Sequence, residues 1–225
     1  IIDWLVEEPC APLLERHPLL NDVVAVPIKR IRKTRDIGLL VRTVRLLKNR
    51  PPYDRIIDVQ GLLKSAIVAS LLPGKVHGFD RQSAREGIAA ALYDTASSIP
   101  YDENVVRRNV RVVSEALGIP YAETMITDKQ PLFPASSPSP LFPQDGHAIA
   151  CVIGASWPSK CYPKEHFATV CEALGHPCYL IWGNEQEYQD ALWIAGHASN
   201  ARVAPKMSLD ELVNFIAHTD LTIGN

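Results

Sequence analysis

Little in these 225 residues suits a membrane span, a disulfide framework or a zinc site. The longest apolar runs, HAIACVIGA and LLKSAIVASLL, are of strand or helix length, and the second carries Lys64; a bilayer crossing needs about 20 apolar residues. The five cysteines (Cys10, Cys151, Cys161, Cys171, Cys178) are an odd set with no C-x-x-C spacing. Reduced thiols of a cytosolic protein are the expectation. His166, His176, His197 and His218 show no metal-ligand spacing and read as structural or surface residues. There is no G-x-G-x-x-G, no Walker lysine motif and no G-x-S-x-G. Dehydrogenase, P-loop and serine-hydrolase readings therefore lose their main support. No Phe, Tyr or Trp interrupts residues 29–50, which argues against a binder of single-stranded nucleic acid.

With 47% hydrophobic and 21% charged residues, the chain has ample material for a core and length for two small domains. Short apolar strands alternate with amphipathic helices throughout. DWLVEE precedes a short helix around APLLERH. DVVAVPI precedes a helix over 36–48 whose apolar positions are Ile37, Leu40, Val41, Val44 and Leu47. RIIDVQ runs into GLLKSAIVASLL, KVHGF into SAREGIAAALY, and ENVVRRNVRVVSEALG closes the first half. Six of the eighteen prolines fall between Pro120 and Pro143, which reads as a linker. The alternation then resumes with HAIACVIG, CYLIWG, RVAP and DLTIG, each of the first three followed by a helix. Buried strands each followed by a helix predict parallel sheets. The reading is two α/β, Rossmann-like domains, 1–119 and 146–225, joined by a linker at 120–145. The chain opens on Ile1 rather than methionine and ends as strand-like as it begins, so it reads as truncated at both ends, with any targeting signal beyond judgement.

Open parallel sheets collect ligands at the carboxyl ends of their strands, beside helix N-termini. In the second half three such ends suit a nucleotide diphosphate. Small residues at 154–156 let amides approach phosphate oxygens, Ser156 adds a hydroxyl, and Lys160 supplies a point charge. Glu185 or Glu187 could take both hydroxyls of a ribose, Met207 could line a purine pocket, and Ser208 with Glu211 spells a capping box. Each also has a plainer reading: surface lysine, exposed helix acid, core filler.

The first half offers cations. Between Lys29 and Arg50 there are nine Lys or Arg and one acid, Asp36. PIKRIRK sets Lys29, Arg30, Arg32 and Lys33 in a loop after a strand. Gln60, Gly61 and Lys64 mark the next strand end, and Asp80, Arg81, Gln82, Arg85 and Glu86 the one after. Three cationic strand ends on one face predict a pocket for a substrate with several carboxylates or phosphates.

The runs YDRIIDVQGLLKSAIVASLL, GFDRQSAREGIAAALYD, GASWPSKCYPKEHF, IWGNEQE and PKMSLDEL resemble, in order and along nearly the whole chain, the lipopolysaccharide heptosyltransferases. GFDRQSARE looks like the first type rather than the second. The resemblance implies a GT-B glycosyltransferase with two Rossmann-like domains facing across a cleft. It would be inverting and metal-independent, with no cofactor, ADP-heptose as co-substrate, the Kdo residue of Kdo2-lipid A as acceptor and no nucleic-acid partner. It would work in the cytoplasm, peripheral on the inner membrane. Donor contacts are implied at Ala155 (through its amide only), Ser156, Lys160, Glu187 and Met207, and Lys160 would stabilise the leaving diphosphate. Lys29, Arg30, Arg32, Lys33 and Arg85 match basic acceptor-side positions; Gln60, Gly61, Lys64 and Arg81 join them from the strand-end reading. The family's general-base aspartate would precede Ile1 and its D-T-G-P-x-H signature would follow Asn225, so residues 1–225 alone are expected not to turn over. The alternatives are the second heptosyltransferase type and a non-catalytic module for anionic glycans.

Overall fold

The computed structural model describes residues 1–15, 17–128 and 147–225. By its contacts the chain divides into Ile1–Val24 with Leu132–Asn225, and Ala25–Pro131. The first 24 residues thus group with the second half, where the sequence reading had placed them with the first. The 3₁₀ segment Glu8–Leu13, between β1 (Asp3–Glu7) and β2 (Asp22–Val26), packs against a helix of the second half. Among the described residues these two strands pair with each other and with no further strand.

The second half is built on a parallel sheet ordered β8 (Ala201–Val203), β7 (Cys178–Ile181), β6 (Ile149–Val152), β9 (Leu221–Gly224). Alternation along β6 and β7 sends side chains to both faces, and both faces are covered. Ile149, Cys151, Cys178 and Leu180 pack with Phe167, Cys171, Ala191 and Ile194 from α6 (Lys164–Leu174) and α7 (Glu185–Ala195). Ala150, Tyr179 and Ile181 pack with the fully buried Phe215 of α8 (Leu209–Ala217), the helix that carries Glu8–Leu13. In register, Val152 stands beside Ile181 and Gly224. The chain therefore leaves all three strands at one edge.

The other unit holds α1 (Ile28–Thr34), α2 (Ile37–Lys48), α3 (Leu63–Ser70), α4 (Val105–Leu117), α5 (Thr124–Thr127) and a parallel sheet of β3 (Tyr53–Ile57), β4 (Gly74–Phe79) and β5 (Thr95–Ser97). Four local expectations change. PIKRIRK is helix α1, not a loop, ended by Arg35 in the left-handed region at φ 53°. SAREGIAAALY gives only a 3₁₀ stretch, Gly87–Leu92. In α2 the side chains that reach the interior are Thr43 and Leu47, while Ile37, Leu40 and Val41 stand exposed; helical spacing identified an apolar stripe wider than the face that packs. The residues assigned to the linker begin with α5, which lies on α4; 129–145 of that linker lie outside the described residues.

His77 on β4 is buried, its Nδ1 2.8 Å from Thr95 Oγ1 and its Nε2 2.8 Å from Ser97 Oγ, so two hydroxyls of β5 hold the ring. Burial pulls its pKa below the ordinary 6.5; Arg55 adds to this and Glu115 opposes it. The unfolded chain thus binds this proton more readily, and stability from His77 is present above pH 6.5 and lost as pH falls through the lowered value. Chemical denaturation from pH 7.5 to 5 should show wild-type stability falling more steeply than that of His77→Gln. Parallel profiles would assign the loss to other groups.

Candidate functional site

At the shared strand edge, Gly154 follows β6 and is held against α7. A Cβ on Gly154 would meet both carboxylate oxygens of Glu187, so only glycine lets that side chain lie across the strand end. The carboxylate is then fixed: Gly183 N–H donates to its Oε2 and Asn184 Nδ2 to its Oε1, each at 2.6 Å, while Asn184 Oδ1 accepts from Glu187 N–H at 3.0 Å. Of the two acids left open by the sequence, Glu187 is the half-buried one at the strand end, and Glu185 is exposed, its Oε1 accepting from Gln189 Nε2 at 2.9 Å.

A cavity of about 430 Å³ opens here, lined among others by Ala155, Tyr162, Lys164, Asn184 and Glu187. Ser156 and Lys160 lie outside its lining, on the exposed 156–160 segment that enters a 3₁₀ turn at Pro158–Lys160. Four residues further on α6 begins at Lys164, with no side chain capping it at Pro163. By contrast, α7 is capped by Asn184 and α8 by Ser208, with Glu211 completing the expected box. The amides of Lys164 and Glu165 at this start favour an anion; Lys164 is its first residue and Lys160 precedes it by four. Met207 is not in this cavity; it is half-buried against the core cluster that contains Phe215, the core-filler reading.

Three residues that sequence reasoning missed shape this edge. Asn225 donates from Nδ2 to Ile153 C=O at 2.6 Å and accepts from Tyr162 N–H at 2.9 Å, clamping both ends of the 154–161 loop. Lys164 reaches across to Asp190 at 3.2 Å with its ammonium over the Trp193 ring, joining α6 to α7. Trp182 Nε1 donates to Ala204 C=O at 2.7 Å, and Lys206 stands over its indole. The Asn-before-helix pattern of WGNEQE was the legible signal; the Asn225 and Lys164 pairings cross too much sequence to be read.

In the other unit the structure brings the second and third cationic strand ends together. Gly61, at φ +62°, sits where a Cβ would be 3.2 Å from Arg85 N and 3.3 Å from Ala84 Cα. The anion site read at α3 is already filled: Glu86 Oε2 accepts from Leu63 N–H at 2.7 Å, and Ser65 Oγ accepts from Leu62 N–H. Asp58 is buried and satisfied by Gln60 N–H, Ser65 Oγ and Tyr93 OH at 2.7–2.8 Å. Burial and that carboxylate push the Tyr93 phenol above its usual range. Asp80 caps the 80–86 turn through Ser83 and Gln82 N–H, and its bonds to Ser83 hold its carboxyl below the ordinary range. Arg108, also missed, is buried on α4 between the rings of Phe79 and Tyr101 and donates to Ser83 C=O, pinning the turn from below. Lys64, Arg81 and Arg85 remain exposed at the surface. Lys29, Arg30, Arg32 and Lys33 are carried separately, on α1, which packs on α2.

Parallel sheets flanked by helices, with a cavity at the strand ends beside an uncapped helix start, define a Rossmann-type α/β protein. Comparison makes this specific. Residues 41–225 match the family described as glycosyltransferase family 9 (heptosyltransferase), and the chain belongs to that family. It is a glycosyltransferase of the heptosyltransferases of lipopolysaccharide biosynthesis, α/β in the GT-B manner. Lipopolysaccharide heptosyltransferase 1 of Campylobacter coli is 31% identical over all of this chain and 69% of its own length; that of Pseudomonas aeruginosa is 31% identical over 96% of this chain and 61% of its own. The structure of Escherichia coli heptosyltransferase WaaC with ADP-2-deoxy-2-fluoro heptose superposes with a TM-score of 0.81 at 26% identity, over 99% of this chain and 72% of that one.

Gly154→Ala should force Glu187 away from its donors and destabilise the protein by about 1–3 kcal/mol, the usual range for overpacking. Gly183→Ala, whose Cβ would stand 3.4 Å from the same carboxylate, should be far milder. Equal denaturation midpoints for the two variants would contradict the contact.

Proposed function

We propose that the complete protein transfers L-glycero-D-manno-heptose from ADP-heptose to the Kdo residue of Kdo2-lipid A, with inversion and without a metal. The observation that carries this reading is the strand-end cradle: Gly154–Ser156 against the fixed Glu187, leading through Lys160 to the uncapped start of α6. An acceptor hydroxyl attacks the anomeric carbon on the face opposite the diphosphate and gives its proton to the general-base aspartate that the family resemblance implies. The bond from that carbon to the diphosphate oxygen breaks, and ADP departs with the electron pair. Residues 1–225 are assigned binding and leaving-group roles. The 154–156 amides and Ser156 hold the diphosphate, Glu187 the ribose hydroxyls, and Lys160 meets the charge that gathers on the leaving oxygen. Met207 reaches adenine only from the edge of its core position, the weakest of the donor assignments.

The acceptor side is assigned to the cations of α1 (Lys29, Arg30, Arg32, Lys33) and of the 60–64 and 81–85 strand ends. The exposed Ile37, Leu40 and Val41 of α2 beside that cationic run suit the surface of an anionic membrane, which supports a peripheral position on the cytoplasmic face of the inner membrane. Among the described residues no helix is long and apolar enough to cross one.

With ADP-heptose, Kdo2-lipid A and a chelator present, the complete enzyme should release ADP and form the heptosylated acceptor; absence of that product sinks the reading. Lys160→Ala should lower kcat by roughly a hundred- to a thousand-fold, in line with loss of one transition-state donor, while ADP affinity falls modestly. Lys160→Arg should restore part of the rate. A near-wild-type kcat for the alanine variant would leave Lys160 an ordinary surface residue.

The paired variant Arg30→Ala/Arg32→Ala should raise the KM for acceptor, most at low salt where exposed charges are least screened, and leave the donor constant in place. Equal changes in both constants would refute the division of labour.

A further inference from the structure

Three of the five cysteines meet in the core of the second half. Cys151 comes from β6, Cys171 from α6 and Cys178 from β7; each is 0% exposed, and their Sγ atoms all lie within 4.8 Å of one another. A cation held by three thiolates at about 2.3 Å, with the sulfurs spread around it in a plane, sets those sulfurs about 4 Å apart. The neighbouring side chains, Ile149, Ile153, Phe167, Leu180 and Ile194, are hydrocarbon and provide no fourth ligand. That setting disfavours zinc, which takes four, and favours a soft ion content with sulfur alone. Asn200 braces the cluster from outside: its Nδ2 donates to Cys171 C=O at 2.5 Å and to His176 C=O at 2.7 Å, and lies 3.9 Å from Cys178 Sγ. Hydrogen bonding from Cys151 pulls the Cys171 thiol down, while burial pushes Cys178 up, as expected of sulfurs close enough to share protons.

We infer that Cys151, Cys171 and Cys178 form a closed three-thiolate site for one soft cation of the Cu(I) class. On binding, three S–H protons pass to solvent and three sulfur–metal bonds form, with no change of oxidation state. The site takes no part in the sugar transfer and stands whether or not that reading holds. Because every sulfur is buried, loading requires local opening of the β6–α6–β7 layer and is slow. The plainer alternative is that the thiols fill space as small apolar side chains.

The test uses the full-length protein, reduced and anaerobic, with Cys10→Ser and Cys161→Ser introduced to remove the two exposed thiols. Cu(I) is offered as its bicinchoninate complex, whose colour fades as metal is withdrawn. The double variant should withdraw one equivalent and melt at a higher temperature once loaded. Adding Cys171→Ala, or Cys178→Ala should the first fail to fold, should weaken uptake at least 100-fold. No withdrawal by the double variant, or undiminished withdrawal after either alanine change, overturns the site.

Discussion

The second half depends on one spatial exclusion: Gly154 has no side chain, and Glu187 occupies the space one would need. From that contact follow the carboxylate's fixed position and its bonds to Gly183 and Asn184. The loop after Gly154 is held by the edge on either side. Asn225 grips its start at Ile153 and its end at Tyr162, and the sheet register places these residues level with one another. Burial of both sheet faces gives the edge a rigid base, so the polar groups there need little reorganisation to meet a ligand.

Helix starts divide the described strand edges into two kinds. At α7 and α8 a capping side chain three residues upstream of an acid satisfies the first amides and neutralises the positive end of the helix. At α6 proline stands in the cap position, and proline brings no side-chain acceptor. The start of α6 therefore has no capping side chain, with Glu165 the acid of its first turn and Lys160 and Lys164 the cations beside it; Lys164 is partly neutralised by Asp190. Under the proposed reaction, this difference between helix starts is what would leave room for a departing anion.

Much of the fold could be read from local pattern. The strands of the second half alternate toward two covered faces, and the helices between them announce their starts with Asn184 and Ser208. Reading failed where tertiary packing overrides pattern. The stripe on α2 was apolar for five positions, yet Thr43 went inside and Ile37 did not. Met207, read as either a purine contact or a core filler, packs on a core cluster outside the cavity lining, and thioether chemistry suits both readings. The cations of PIKRIRK implied a loop, although their backbone is helical. Of the candidate site, Glu187 and Ala155 emerged at a cavity, whereas the contacts that brace the edge around them, Asn225 with Ile153 and Lys164 with Asp190, pair across the fold and leave no trace in sequence order. Family motifs conveyed more than single residues did, since a motif preserves packing that one residue type cannot express.

Glu86 gives α3 a property beyond that of a cap. Its carboxylate rests on the Leu63 amide, so the socket at this helix start has a tethered occupant, present at an effective concentration of about millimolar or more. Free phosphate or a lone carboxylate must displace that occupant and gains little by doing so. A ligand bearing several charges can engage Lys64, Arg81 and Arg85 as it arrives, and those added contacts can outweigh the tether. Under the acceptor assignment proposed above, this strand end would act as a threshold that favours polyanions over small anions.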